Sequence, residues 1–470
     1  MSADSTLSGV FDGDIDAAWL SVPVGVAAAG AVLVYAPVAA EMATMLAITV
    51  FCISLWVGSP VAPWFTGLLG VGLIGVAFSS DLALTGFQSA ATWLVVLGIF
   101  LGEATRQSGL AAAVERVSLR VLPEDATADA GVAYRHLLVV LSAAALGFVV
   151  LVPSSLVRVL ILGPILVSVG GLFTDRRPRV GLFLGPLFVT YYAGTGILTG
   201  SLANIIITGL VEANSGLAIG WVEWAVWLGP VMWVGRAAVI TAIAYYLYRP
   251  RTADAIDAAS ATDLDVASTA EARRMMAFLL VGVAIWATDT LHGLHPLYGA
   301  LVVTLLAFAP RVGVVGADAI AETDVSIVFF LGAIFAIAAG LQQTGFTDVA
   351  ADAILSGFPE GGSLSVALAF SVVASIALTF VMEGLAVASV LTPVLVAFSE
   401  SAGLPLAPVA MIEAVALNTY FFPYQSAVLV AILGLDVVDS RELIRMAALC
   451  SVATLVVLLP IQIAIFALAF

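Results

Sequence analysis

The chain has 470 residues, 62% of them hydrophobic and only 10% charged, with a mean hydropathy of +1.14. Soluble domains average about 45–50% apolar and 25% charged residues, so this composition excludes a soluble globular protein and describes a polytopic membrane protein. The charges are 32 acids and 16 Arg with no Lys, and the net charge of −16 fits either a halophilic source or polar loops rich in Asp. It says little about the sign of a ligand, because most of the acids lie at or between the ends of apolar spans. Cys52 and Cys450 are isolated in apolar surroundings and read as packing residues, with no metal or disulfide pattern.

Residues 1–18 carry four Asp and no Arg, so they read as an acidic tail rather than a signal peptide, which would begin with basic residues. An extra first span occupies 19–40. A first repeat, 41–249, opens with apolar spans at 41–58, 64–79 and 88–108, the last ending in RQSGL (106–110). The amphipathic stretch after it has Arg116 and Arg120 on its polar side, as expected of a helix lying on the membrane surface. Next come an apolar hairpin, 133–170, interrupted at Ser154 and Ser155, and a span, 180–210, broken at AGTGILTGSLANII (193–206). The closing span carries Trp221, Trp224, Trp227 and Trp233, spaced along one helix face as at a membrane interface.

Residues 250–274, rich in Ala, Asp and Thr, read as a cytoplasmic linker. The second repeat, 275–470, follows the same order. Its third span ends in QQTGF (342–346), an amphipathic stretch follows at 347–356, and a hairpin at 363–399 is interrupted at Glu383 and Gly384. A span over 404–434 is broken at TYFFPYQSA (419–427), and a last helix closes the chain.

The two interruptions share a pattern. SSLVRVLILGP (154–164) and EGLAVASVLTP (383–393) each open a helix with two small or polar residues, continue with Leu, and reach Pro ten residues after the start. A helix interrupted at membrane depth leaves unpaired backbone groups, tolerable only inside protein or beside a wet cavity. Two such interruptions at corresponding places in two halves point to a transporter's binding site; chance similarity between Leu/Val-rich stretches is the alternative. An odd number of crossings per unit sets the units inverted to each other. With the N-terminus in the cytoplasm, 14 of the 16 Arg fall in or beside cytoplasmic segments, leaving only Arg158 and Arg236 within apolar segments. The expected fold is all-α, with about 11 transmembrane helices plus two opposed re-entrant hairpins, an inverted repeat with two broken helices.

Half-helix N-termini at Ser155 and Gly384 would aim N–H groups and positive dipole ends inward, which suits an anion. Ser154, Ser155, Arg158, Glu383 and Gly384 are therefore the candidate substrate residues. Carbonyls freed at the breaks, with Ser154, Thr195, Ser201, Asn204 and Gln425, offer hard oxygen ligands for a cation. An unpaired carboxylate at membrane depth takes up a proton, a cation or a basic partner, so Glu383 is expected to bind a cation or to pair with Arg158. The plainer alternatives are a structural ion pair for Arg158 and a capping carboxylate for Glu383. Glu103 and Arg106 form a local i,i+3 pair, Glu413 and Arg236 have no assigned role, and His292, His295 and Asp289 read as a loop rather than a metal site. No nucleophile–base arrangement, phosphate-cradling loop or basic patch is present, so an enzyme or a nucleic-acid partner is not expected.

These residues resemble the divalent anion–sodium symporters, within the ion-transporter superfamily that includes citrate and arsenite permeases. In that family each tip carries Ser-Asn-Thr with Pro ten positions after the Ser; Ser154 and Glu383 occupy the Ser positions. Gly194, Gly200, Ser201 and Asn204 match its glycine-rich break, with Leu202 and Ala203 in place of two prolines. Pro423, Tyr424, Gln425 and Ser426 are similar to its second break. The resemblance implies a homodimer in the plasma membrane that carries a small anion (dicarboxylate, citrate, sulfate or similar) by an elevator-type movement. It implies sodium as coupling ion, held near Ser154, Thr195, Gly200, Ser201, Asn204, Glu383, Pro423, Gln425 and Ser426, and no other cofactor. A proton-coupled or non-anion transporter of the same fold, and a sensor or assembly protein that no longer transports, are the other functions considered.

Overall fold

The computed structural model describes residues 17–110, 129–251, 270–357, 363–381 and 383–470. The acidic tail through residue 16, the stretch read as a surface helix from 111, most of the linker (252–269) and residues 358–362 lie outside the described residues. The first half runs α1 (Ser21–Tyr35), α2 (Ala40–Gly58), α3 (Pro63–Ala77), α4 (Ser80–Gln88), α5 (Ala90–Gln107), hairpin arms α6 (Ala130–Leu151) and α7 (Ser155–Gly170), α8 (Arg176–Tyr192), α9 (Leu202–Ser215) and α10 (Trp221–Tyr248). The second runs α11 (Ala270–Ala287), α12 (Leu297–Ala307), α13 (Ile327–Gln343), α14 (Phe346–Gly357), hairpin arms α15 (Leu364–Thr379) and α16 (Gly384–Ala402), α17 (Leu406–Leu417), α18 (Ala427–Leu433) and α19 (Ser440–Ala469).

Several of the acids are spent at helix starts. Asp129 Oδ1 accepts from Gly131 N at 2.7 Å, Asp175 Oδ1 from Arg177 N at 3.0 Å and Asp439 Oδ1 from Glu442 N at 2.8 Å, at the starts of α6, α8 and α19. First-turn amides have no intrahelical acceptor, so a carboxylate there stabilises the helix. Asp289 does the same from a distance: its Oδ2 accepts from Trp221 N and Val222 N, capping α10. Among the described residues no group of His, Cys, Asp and Glu is arranged to hold a metal ion.

The RQSGL and QQTGF echo has a backbone cause. Gly109 and Gly345 adopt φ of +74° and +79°, the left-handed region in which glycine ends a helix without strain. After Gly345 the chain turns by 72° from α13 into α14, and a milder bend of 46° joins α4 to α5.

The packing is reciprocal. α13 lies along α3 and α4, while α5 lies along α12; α9 packs on α16, while α18 packs on α7. Both closing helices contain a π-helical stretch, Gly229–Gly235 in α10 and Thr454–Leu458 in α19. Among the described residues six helices are long and apolar enough to cross a bilayer, or eight if each bent pair is one span. A crossing needs about 20 residues, so shorter apolar helices fall outside this count. The interruptions cut α7, α15 and α17 below that length, and α3 and α12 are likewise short. The buried apolar side chains form two cores, one spanning α2–α5, α9 and α11–α17 with parts of α6, α7, α10 and α19, the other α6–α8 with parts of α10, α18 and α19.

Candidate functional site

The first hairpin turns at Val152, Pro153 and Ser154. Pro153 has no N–H with which to continue α6, and Ser154 Oγ restarts the helix by accepting from Val157 N at 3.4 Å. The second restarts at Gly384, where the Glu383 carboxylate accepts from Leu385 N at 2.9 Å. A side chain at 384 would meet Tyr420 Oη at 2.7 Å, so the tip needs glycine to lie this close to the second broken span.

Both tips open on one cavity of about 430 Å³. Ser154 and Ser155 line it from one tip, Glu383 and Leu385 from the other, and Tyr191, Ser201, Asn418, Tyr420 and Ser426 from the broken spans. Ser201 Oγ donates to Asn418 Oδ1 at 3.0 Å, and the Tyr191 hydroxyl is hydrogen-bonded to Ser426. Glu103, Glu322 and Asp324 also line it, and among the described residues no basic side chain does. Glu103 makes the local pair with Arg106 that its spacing predicts, at 2.5 Å.

Arg158 does not join the cavity and does not pair with Glu383. Its side chain is fully buried; Nη1 donates to Val152 O (2.6 Å), Nε to Thr190 Oγ1 (2.9 Å), and Nη2 to Thr190 O (2.8 Å), Gly200 O (2.7 Å) and Ser155 Oγ (3.0 Å). The carbonyls left over where α6 and α8 stop attract the guanidinium more strongly than a distant carboxylate does. Arg236 is likewise buried. It donates to Tyr192 O and Asn418 O, each at 3.1 Å, and lies 5.0 Å from the centre of the Tyr192 ring.

Two further break carbonyls are also answered from inside the chain. Asn204 Nδ2 donates to Thr195 O (3.1 Å) and Ile197 O (2.9 Å), and Trp224 Nε1 to Thr195 O (2.9 Å). Trp221 and Trp224 are therefore buried supports of the break rather than interface residues, their indole N–H groups needed by Thr199 Oγ1 and Thr195 O. In the second break, Pro423 opens a short turn (Pro423–Gln425), and Gln425 closes it, its Oε1 accepting from Phe421 N and Phe422 N while Nε2 donates to Thr379 O.

Of the residues singled out in the sequence, Ser154, Ser155, Ser201, Glu383 and Ser426 face the cavity. Arg158, Thr195, Gly200, Asn204, Pro423, Gln425 and Gly384 do not line it. Tyr191, Asn418 and Tyr420 were missed, although the Tyr pair before AGTG and the Asn-Thr-Tyr before FFP are polar groups in otherwise apolar spans. Because Asn204 faces the loop with its amide nitrogen, Asn204→Ala is expected to destabilise the protein by about 1–3 kcal/mol, the cost of stranding buried carbonyls. Thermal unfolding in detergent checks this; a variant as stable as wild type would show that the amide's bonds do not hold the loop.

Two interrupted hairpins and two broken spans around one polar cavity define a membrane transporter by class. The chain matches the sodium:sulfate symporter transmembrane region over residues 16–468, and it belongs to that family, a family of transporters rather than enzymes. It is 26% identical over 300 residues to a membrane protein of Cupriavidus necator, a match covering 57% of this chain and 56% of that protein. The chain thus spans little more than half the length of this relative. Its fold is similar to that of the Alcanivorax borkumensis YdaH transporter, described as having an unusual topology. The TM-score is 0.60 over 92% of this chain and 99% of that one, at 14% identity.

Proposed function

We propose that the protein is a secondary active transporter that carries a small anion together with a cation. The observation behind this reading is the convergence of two half-helix starts, at Ser155 and Gly384, on a cavity that contains the Glu383 carboxylate. Helix N-termini favour negative charge, yet among the described residues no basic side chain is paired with the Glu383 carboxylate, Arg106 being paired with Glu103. An anion enters such a space only if a cation enters with it, so charge balance makes the coupling obligatory. Sodium, named in the family, is the coupling ion of this reading, bound beside Glu383 with Ser201, Asn418 and Ser426 within the same cavity. The recurring element order and the Arg distribution support two inverted units with the N-terminus in the cytoplasm; the family resemblance implies a homodimer and an elevator-type movement in the plasma membrane.

The acidic lining favours a second reading, in which the cargo is itself a cation or a zwitterion. Uptake into proteoliposomes separates the two. The panel comprises dicarboxylates, citrate, sulfate, phosphate and, for the second reading, cationic and zwitterionic solutes, with sodium and proton gradients varied independently. Accumulation of one anion that needs the sodium gradient is the expected result. Accumulation of a cation alone would replace the anion reading, and no gradient-driven uptake of any solute would remove transport.

A further inference from the structure

The break in the first half gathers oxygen atoms around one guanidinium, three of them on Nη2. Val152 O, Thr190 O, Gly200 O, Thr190 Oγ1 and Ser155 Oγ all lie 2.6–3.0 Å from a nitrogen of the Arg158 guanidinium. These are three carbonyls and two hydroxyls, with no carboxylate among them. Neutral oxygens converging from a helix tip and a helix break are the ligand set that replaces the hydration shell of a metal cation. The space is tight: a side chain at Gly194 would come within 3.0 Å of Arg158 Nη2 and 2.5 Å of Gly200 O, and one at Gly200 within 2.4 Å of Gly194 O. Arg158 is sealed from the cavity, with no exposed surface, so it is not placed to receive the anion.

We propose that Arg158 is a tethered cation: its guanidinium permanently fills an oxygen cage that would otherwise hold a free metal cation. The part of this that concerns coupling rests on the transport reading above. It means that the oxygen cage around Arg158 holds no exchangeable ion, and that ion dependence runs through the cavity beside Glu383, where Ser201 also lies. The positive charge needed to hold the first tip against the break is then present in every step of the cycle, whatever the ion gradient.

The test is thermal unfolding of the purified protein in choline, sodium, potassium and lithium chlorides at equal ionic strength, each variant read against wild type so that any response through Glu383 cancels. Arg158→Ser leaves room and a hydroxyl in the cage. It should melt below wild type in choline, and sodium or another of these metals should then raise its melting temperature by about 5 °C beyond the wild-type response, saturably. Arg158→Lys, which keeps a charge in the cage, should gain no such response. The proposal is overturned if Arg158→Ser shows no added metal response, if Arg158→Lys shows the same response as Arg158→Ser, or if Arg158→Ser cannot be recovered folded even in high sodium. Failure of every solute in the uptake panel would remove the transport reading and leave this result standing; absence of the added response with normal uptake would remove only the tethered cation.

Discussion

Arg236→Met is expected to reduce the yield of folded protein sharply and to lower its melting temperature. The guanidinium bridges the two broken spans, donating to Tyr192 O and Thr195 Oγ1 on one side and to Asn418 O and Thr419 Oγ1 on the other. Met fills much of the same volume and donates nothing. Each stranded carbonyl costs about 1–3 kcal/mol, and some of that is returned because a buried charge is removed. A net loss of about 2–4 kcal/mol is large against a folding stability of about 5–15 kcal/mol. Arg236→Lys should recover part of it, since an ammonium reaches fewer acceptors than the planar fork. The measurement is the monodisperse yield in detergent with the melting temperature. A Met variant that matches wild type in both would show that the breaks hold together without a bridge.

Glu383→Gln is expected to leave the fold intact and to shift the sodium dependence of uptake to higher concentration. The side chain's structural task is to accept from Leu385 N at 2.9 Å, and the Gln carbonyl oxygen can accept the same bond. What Gln cannot do is balance a cation. A lost charged partner is worth about 1.5–3 kcal/mol, or roughly 10–150-fold in cation affinity at 1.4 kcal/mol per decade. The expected result is therefore an unchanged melting temperature in choline chloride with the sodium dependence of uptake shifted by that factor. Wild-type sodium dependence in the variant would reduce Glu383 to a helix cap. A fall in stability without a change in ion dependence would lead to the same conclusion.

The contrast between these two residues shows what could be read ahead of the structure. Glu383 was legible because its role is local: it opens a helix, and the repeat with Ser154 marks the place. Arg158 was legible as a residue but not as a role. One turn past a tip it reads as facing the cavity, with a structural ion pair or a lipid-headgroup contact as the alternative, and none of these readings names the carbonyls it meets. The carbonyls that draw it inward belong to residues 32 and 42 positions away, and whether they are free depends on how α8 ends.

The sequence alone determined the class and the plan. Apolar content, the order of spans, the paired interruptions and the RQSGL and QQTGF endings are properties of short stretches, because hydropathy, helix capping and left-handed glycine act over a few residues. Only the tertiary structure decided where the polar groups at the breaks turn. Asn204 turns its amide to its own loop, Trp224 and Arg236 reach back to the same loop, and Arg236 spans 182 residues to Asn418. The reason is physical: a carbonyl left unpaired at membrane depth takes whichever donor the fold brings within about 3 Å, and that proximity is a property of packing, not of spacing along the chain.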